Sequence, residues 1–174
     1  MGISTEPDAA DLAHLRRSRG LRLIFFLAIT VFLLLGAFGA YGVRHGEVSA
    51  SGGGFDLSVR YPTMTRPGLA SVWSVEVRRT DGGPLDDPVV LSTTADYFDL
   101  FDENGLDPDP AAAMSDGENL VWEFEPADGA TVMTIGFDAR IEPGVQLTSK
   151  SGVTTVLVDG APAVSVTYRT KVMP

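Results

Sequence analysis

Cysteine is absent from this chain. That removes disulfides, thiolate metal sites and cysteine nucleophiles together. Histidine is nearly absent, with only His14 and His45. No HExxH zinc helix, GxSxG nucleophile elbow or glycine-rich phosphate loop opening a helix occurs. Ser115-Asp116-Gly117 and Lys150-Ser151-Gly152 superficially match two short motifs of serine acyl-enzymes, but the required Ser-x-x-Lys is missing. These gaps point away from an enzyme, and no cofactor is implied. Positive charge is scarce as well. Residues 44–174 hold nine basic against twenty acidic side chains, a balance of −11 in a chain whose total is −10. A surface of that sign repels nucleic acid, so nucleic-acid binding is not expected.

The chain does have one long apolar run, LRLIFFLAITVFLLLGAFGAYGV, Leu21 to Val43, with no charge after Arg22. As a helix it would reach about 34 Å at ~1.5 Å per residue, enough for a ~30 Å hydrocarbon core. A signal-peptide core is only about 7–15 residues, so the run predicts a retained transmembrane helix over 21–43. Ala37-Phe38-Gly39 leaves a small-x-small cleavage site as the alternative. Arg16, Arg17, Arg19 and Arg22 crowd the N-terminal flank. That asymmetry predicts a single-pass protein of the cytoplasmic (inner) membrane, with residues 1–20 inside and the bulk outside. Tyr41 falls near the outer boundary, where an amphipathic ring is comfortable.

Gly36, Gly39 and Ala40 form a notch of small residues where a second helix can approach closely, which points to an integral membrane protein partner. Small residues are also common in any membrane helix. In the leader, Thr5 and Asp8 imitate a capping box around Pro7, and Gly20 permits a break before the span.

Residues 44–54, ending in three glycines, read as a short linker. Beyond it, period-two segments alternate with turn residues. Phe55, Leu57, Val59 and Tyr61 share one face; so do Trp73, Val75 and Val77; Leu120, Trp122 and Phe124; and Met133, Ile135, Phe137, Ala139 and Ile141. One wet face per strand implies antiparallel sheets over a shared core. Asp81-Gly82-Gly83 and Asp159-Gly160 have tight-turn chemistry, and Pro67-Gly68 and Pro143-Gly144 precede strands. The pattern predicts an all-β extracytoplasmic domain over 55–174, an Ig-like antiparallel β-sandwich of about seven strands. Trp73 and Trp122 sit at inward positions, which favours core packing over an exposed sugar platform.

The stretch RPGLASVWSVEVRRTDGGPLDDPVVLS, followed by LVWEFEP and a long strand ending IEPG, resembles the adhesion-related Ig-like repeats of bacterial surface proteins. The resemblance spans most of residues 55–172 as a single copy, and implies an Ig-like fold and a binding or adhesion role.

One segment departs from the regular pattern. Residues 94–119 are long for a sandwich connection and rich in acids, among them Asp96, Asp99, Asp102, Glu103, Asp107 and Asp109. Oxygen-rich loops of this kind can hold calcium. An EF-hand register fails here, because Leu100 falls on the first ligand position. Tyr97, Phe98, Leu100, Phe101 and Asp102 would form an apolar, charge-rimmed interface if exposed; in a strand the apolar ones would enter the core. The sequence thus supports a non-enzymatic accessory subunit of a larger membrane complex, in contact with lipid and an integral membrane partner. The alternative is an envelope binding or adhesion module for a surface polymer, protein or calcium. Self-association stays open.

Overall fold

The computed structural model describes residues 9–37, 42–102 and 105–174, with backbone only at 9–18 and 138–139. The chain forms two units, Met1–Gly42 and Val43–Pro174.

The first unit is a single helix, α1 (Ala9–Ala37). It runs through Gly20 without the break that glycine was expected to permit. A glycine in a helix interior costs only about 1 kcal/mol relative to alanine, and the surrounding Leu, Arg and Ala are good helix formers. Arg19–Ala37, 19 residues, is long and apolar enough to cross a membrane, reaching about 28 Å. No residue of its apolar window is buried within the chain. Large apolar side chains on every side are open, from Ile29 at 40% to Leu23 at 71% exposure. The hydroxyl of Thr30 donates back to the Phe26 carbonyl at 2.8 Å, which satisfies the span's polar side chain without water. Residues 1–8 and 38–41 lie outside the described residues, and with them the Thr5–Asp8 cap, most of the cleavage motif, Gly39, Ala40 and Tyr41.

The second unit is all-β apart from one helical turn. Its elements are β1 (Arg44–Gly52), β2 (Phe55–Thr65), β3 (Ala70–Arg79), β4 (Val89–Thr94), α2 (Ala95–Phe98), β5 (Phe101–Asp102), β6 (Leu106–Asp107), β7 (Ala112–Ser115), β8 (Asn119–Phe124), β9 (Val132–Ile141), β10 (Thr148–Val158) and β11 (Ala161–Val172). Eleven strands form one hydrogen-bonded sheet, nine of them along the path β5-β9-β3-β2-β11-β10-β4-β8-β7, with β1 added to β2 and β6 to β9. All pairings are antiparallel except the short contact of β11 with β2, Lys171 to Met64 and Val172 to Thr65. β2 therefore joins two halves: Phe55–Arg60 pair with β3, and Met64–Thr65 pair with β11.

The halves curl over a common core. Trp73 of β3 meets Trp122 of β8 edge-on at 6.4 Å between ring centroids. Leu57, Val59, Val75 and Ile135 from one half face Leu91, Phe124 and Val156 from the other, all 0–1% exposed. Leu57, Val59, Val75, Phe124 and Ile135 are period-two positions read from the sequence. At ~150–250 Å² per aromatic side chain and ~25 cal/mol/Å², each buried ring contributes roughly 4–6 kcal/mol of gross burial, an upper bound.

Three features of the sequence reading change. The body has eleven strands where about seven were expected, the additions being β1 and the short β5, β6 and β7. Residues 44–52, expected as linker, form β1, paired with β2 along the edge opposite β3. Gly53 and Gly54 are its hairpin turn, with φ of 57° and 85°, the two left-handed residues that a type I′ turn requires. Asp81-Gly82-Gly83 does not close a hairpin, because β3 and β4 pair with other strands. It opens a crossover between the halves, anchored where the Leu85 N–H donates to the Ala130 carbonyl at 2.7 Å.

Candidate functional site

The acidic segment 94–119 explains its own length once its pairings are traced. β5 and β6 extend the sheet on the β9 edge, and β7 extends it on the β8 edge. The segment thus straps the two terminal edges of the curled sheet, covering backbone groups that would otherwise be left open. Four of its apolar residues point inward: Tyr97 is 0% exposed, Phe98 3%, Leu100 0% and Phe101 6%. This corrects the expected interface patch, since only Asp102 of the five faces water. Phe98 sits between the halves, with ring centroids 5.1 Å from Trp73, 5.3 Å from Trp122 and 5.5 Å from Phe137. Burying it there outweighs any exposed role.

Three carboxylates of this segment, Asp96, Asp99 and Asp116, are also engaged, and Glu103 lies outside the described residues. The Lys150 ammonium donates to the Asp96 carboxylate at 2.6 Å and carbonyl at 2.8 Å, and reaches Asp99 at 3.4 Å. Burial works against the Lys150 charge, but the bonds to Asp96 and Asp99 outweigh it and raise its pKa above the ordinary value. A lysine therefore occupies the position a cation would take beside these two acids. Asp116 accepts from the N–H groups of Glu118 at 2.8 Å and Asn119 at 2.6 Å, which lowers its pKa and shapes the β7–β8 turn. Among the described residues, no group of three metal-ligating side chains comes together.

Buried hydroxyls form a second system. Tyr168 accepts from the Trp73 indole at 3.2 Å and bonds Thr154 at 2.9 Å and Thr93 at 3.4 Å. Tyr97 bonds Thr170 at 2.7 Å, and Thr170 donates on to the Pro62 carbonyl. Burial raises the pKa of both tyrosines, so they stay neutral. Among the described residues no buried side-chain polar atom lacks a partner. These groups fix which strands meet and leave no hydroxyl poised over an open pocket. Gly152 makes the arrangement possible: a Cβ there would lie 2.6 Å from the Tyr168 ring and 2.9 Å from that of Tyr97. Lys150 and Gly152, part of a motif that resembled acyl-enzyme chemistry, are thus structural neighbours of α2 and the tyrosines.

An open concavity lies at the other end of the body, beside the β1–β2 and β10–β11 turns. It is a cleft of about 450 Å³ with Phe55, Leu85 and Val156 among its walls and Asp86, Asp87, Glu123 and Asp159 around it. Arg79 also lines it but is held by Asp81, through Nε at 3.1 Å and Nη2 at 3.0 Å. The Arg79 bonds, with the Gly83 N–H, lower the Asp81 carboxyl to about 2. The cleft is acidic with an apolar lining, the chemistry for a basic or amphipathic peptide segment. No local motif marks it in the sequence, because its residues come from five separate strands, a crossover and a turn. His45 is exposed on β1, and Gly36 is exposed on α1.

No protein-family model matches the chain, and no curated protein does. Among solved structures, a DUF4466 family protein from Parabacteroides merdae is similar at 12% identity and a TM-score of 0.36, over 74% of this chain and 44% of that one. The chain spans less than half the length of that protein, and a likeness at this level carries neither fold nor function across.

Proposed function

We propose that this chain is a non-enzymatic single-pass membrane protein, an accessory or structural subunit that holds its β body outside the cytoplasmic membrane and contacts an integral membrane partner. The observation that carries the proposal is α1. Its apolar side chains are exposed on every side with none buried in the chain, a distribution suited to lipid and neighbouring helices rather than to water. The arginines at 16, 17, 19 and 22 support an inside N-terminus. The β body supports a binding role through a core in which, among the described residues, every buried side-chain polar atom has a partner. The packing of two groups of strands face to face over one buried core supports the finer description of the body as an Ig-like sandwich.

A complex subunit depends on its own span. Exchanging residues 19–37 for an unrelated apolar helix should release a polytopic protein that co-purifies with the native chain in mild detergent. Retention of every co-purifying chain after the exchange, or recovery of the native chain alone, would contradict the proposal.

The acidic cleft favours one second reading, an envelope module that binds a protein segment of basic character. On that reading Asp86→Lys with Asp87→Lys abolishes binding, while the helix exchange leaves it intact.

A further inference from the structure

β7 covers the edge of β8 and thereby becomes an edge itself. It ends the hydrogen-bonded path, and every residue from Ala111 to Glu118 is exposed, Met114 by 67%. The phase of the ladder shows which backbone groups are open. The Asp116 N–H donates to the Asn119 carbonyl at 3.2 Å, and on the other side of β8 the Ala95 N–H donates to the Glu118 carbonyl at 2.8 Å. Bonded pairs alternate along an antiparallel ladder. In the register Ala112–Glu123 to Ser115–Leu120, the residues bonded to β8 are then Ala112 and Met114. Ala113 and Ser115 turn their N–H and C=O groups away from the sheet.

Natural edges are commonly guarded by charge along the strand. Ala112-Ala113-Met114-Ser115 has none, and the charges stand at its two ends: Asp109 before it, Asp116 and Glu118 after it. Among the described residues, none of these three forms an ion pair. The edge also borders a hollow of about 210 Å³ with Phe98, Leu106, Asp109, Pro110, Trp122 and Phe137 in its walls. Ala113 stands opposite Trp122, so the two side chains share the face on which that hollow lies.

We infer that β7 is a docking edge for an extended segment of another protein, apolar in its middle and basic at both ends, which adds as an antiparallel strand. The residue placed opposite Ala113 bonds its backbone to β7 and turns its side chain to the face of the hollow, where an apolar group fits. Lysines or arginines on either side of it meet Asp109 at one end and Asp116 and Glu118 at the other. A second copy of the chain is selected against. Antiparallel self-pairing centred on Ala113 or Met114 sets Asp109 of each copy beside the Asp116–Glu118 turn of its mate, and parallel pairing opposes like with like. The inference rests on β7, and on neither α1 nor the acidic cleft.

The test uses the full chain in non-ionic detergent micelles and a fluorescent probe peptide, Lys-Lys-Val-Thr-Val-Thr-Val-Lys-Lys, followed by anisotropy. The chain should bind it. N-methylation of the valines, whose N–H groups face β7, should weaken binding roughly tenfold or more; N-methylation of the threonines, on the outer edge, should not. Ala113→Pro removes only an outward N–H, a change that an edge strand accepts. It should weaken binding to the same degree while the thermal melt stays near that of the native chain. Asp109→Lys with Glu118→Lys should reject the probe and take up its counterpart with glutamate in place of lysine, a gain that misfolding cannot produce. Absence of probe binding overturns the inference, as do equal losses from both N-methylation patterns or indifference to the charge reversal. So does binding that survives Ala113→Pro and is lost with Asp86→Lys and Asp87→Lys, which assigns the peptide to the cleft. A chain that dimerises through β7 and excludes the peptide overturns it as well.

Discussion

Gly152 carries more of the fold than its size suggests. It stands in β10 where two tyrosine rings converge, and neither ring can retreat because each is buried and hydrogen-bonded. Gly152→Ala should cost about 1–3 kcal/mol, the usual range for overpacking, in urea unfolding. Gly136→Ala is the control: its Cβ would meet only the Asp107 carbonyl at 3.7 Å, an ordinary contact. Equal stability of the two variants would show that the rings do yield. At this scale the sequence was legible where period two applied. Trp73, Val75, Trp122, Phe124, Ile135 and Phe137 were all placed inward from alternation alone. For Tyr97, Phe98, Leu100 and Phe101 the sequence allows both core and interface, because a four-residue helix and a two-residue strand have no period to read. Their burial is set by the opposing half of the sheet, which local sequence does not contain.

Among the elements, the first hairpin separates two effects of glycine. Gly54 has a positive φ but open space around its missing Cβ, whereas at Gly53 a Cβ would lie 2.6 Å from that of Ala163 and 2.9 Å from its Cα. Gly54→Ala should therefore cost about 1–2 kcal/mol, the left-handed backbone penalty, and Gly53→Ala distinctly more. Thermal melts of the two variants would decide, and equal losses would argue that β11 shifts aside. The sequence suggests a linker here because a run of three glycines serves a flexible tether and a left-handed turn equally well. Only Val48 and Ala50 mark an inward face on β1, too little for alternation to show.

The strap 94–119 invites a test by pH. Lys150 is 23% exposed, but Asp96 and Asp99 are 70% and 71% exposed, so solvent screening limits the clamp to about 0.5–1 kcal/mol. Because the folded-state pKa of Lys150 is raised, that contribution is whole below the unfolded lysine value of about 10.4 and fades as pH rises through the folded value. Lys150→Met should be less stable than the native chain by a constant margin from pH 7 to 10, and the margin should close above that. A margin independent of pH to the alkaline limit would mean that the lysine acts through packing alone.

At the scale of the whole molecule, composition already separated an apolar helix from an acidic β body, and both are present. The pairing order of the strands was beyond the sequence, since register and partner choice follow from contacts between residues far apart, such as Met64 with Lys171. The cleft escaped for the same reason. Everything proposed about location and partners depends on α1 remaining attached and crossing lipid. The direct measurement is the intact mass of the chain recovered from the carbonate-washed membranes of cells that make it. The expected result is a membrane-retained chain that still includes residues 19–37. A chain released by carbonate, or one whose mass begins beyond residue 37, would contradict the membrane-anchored reading.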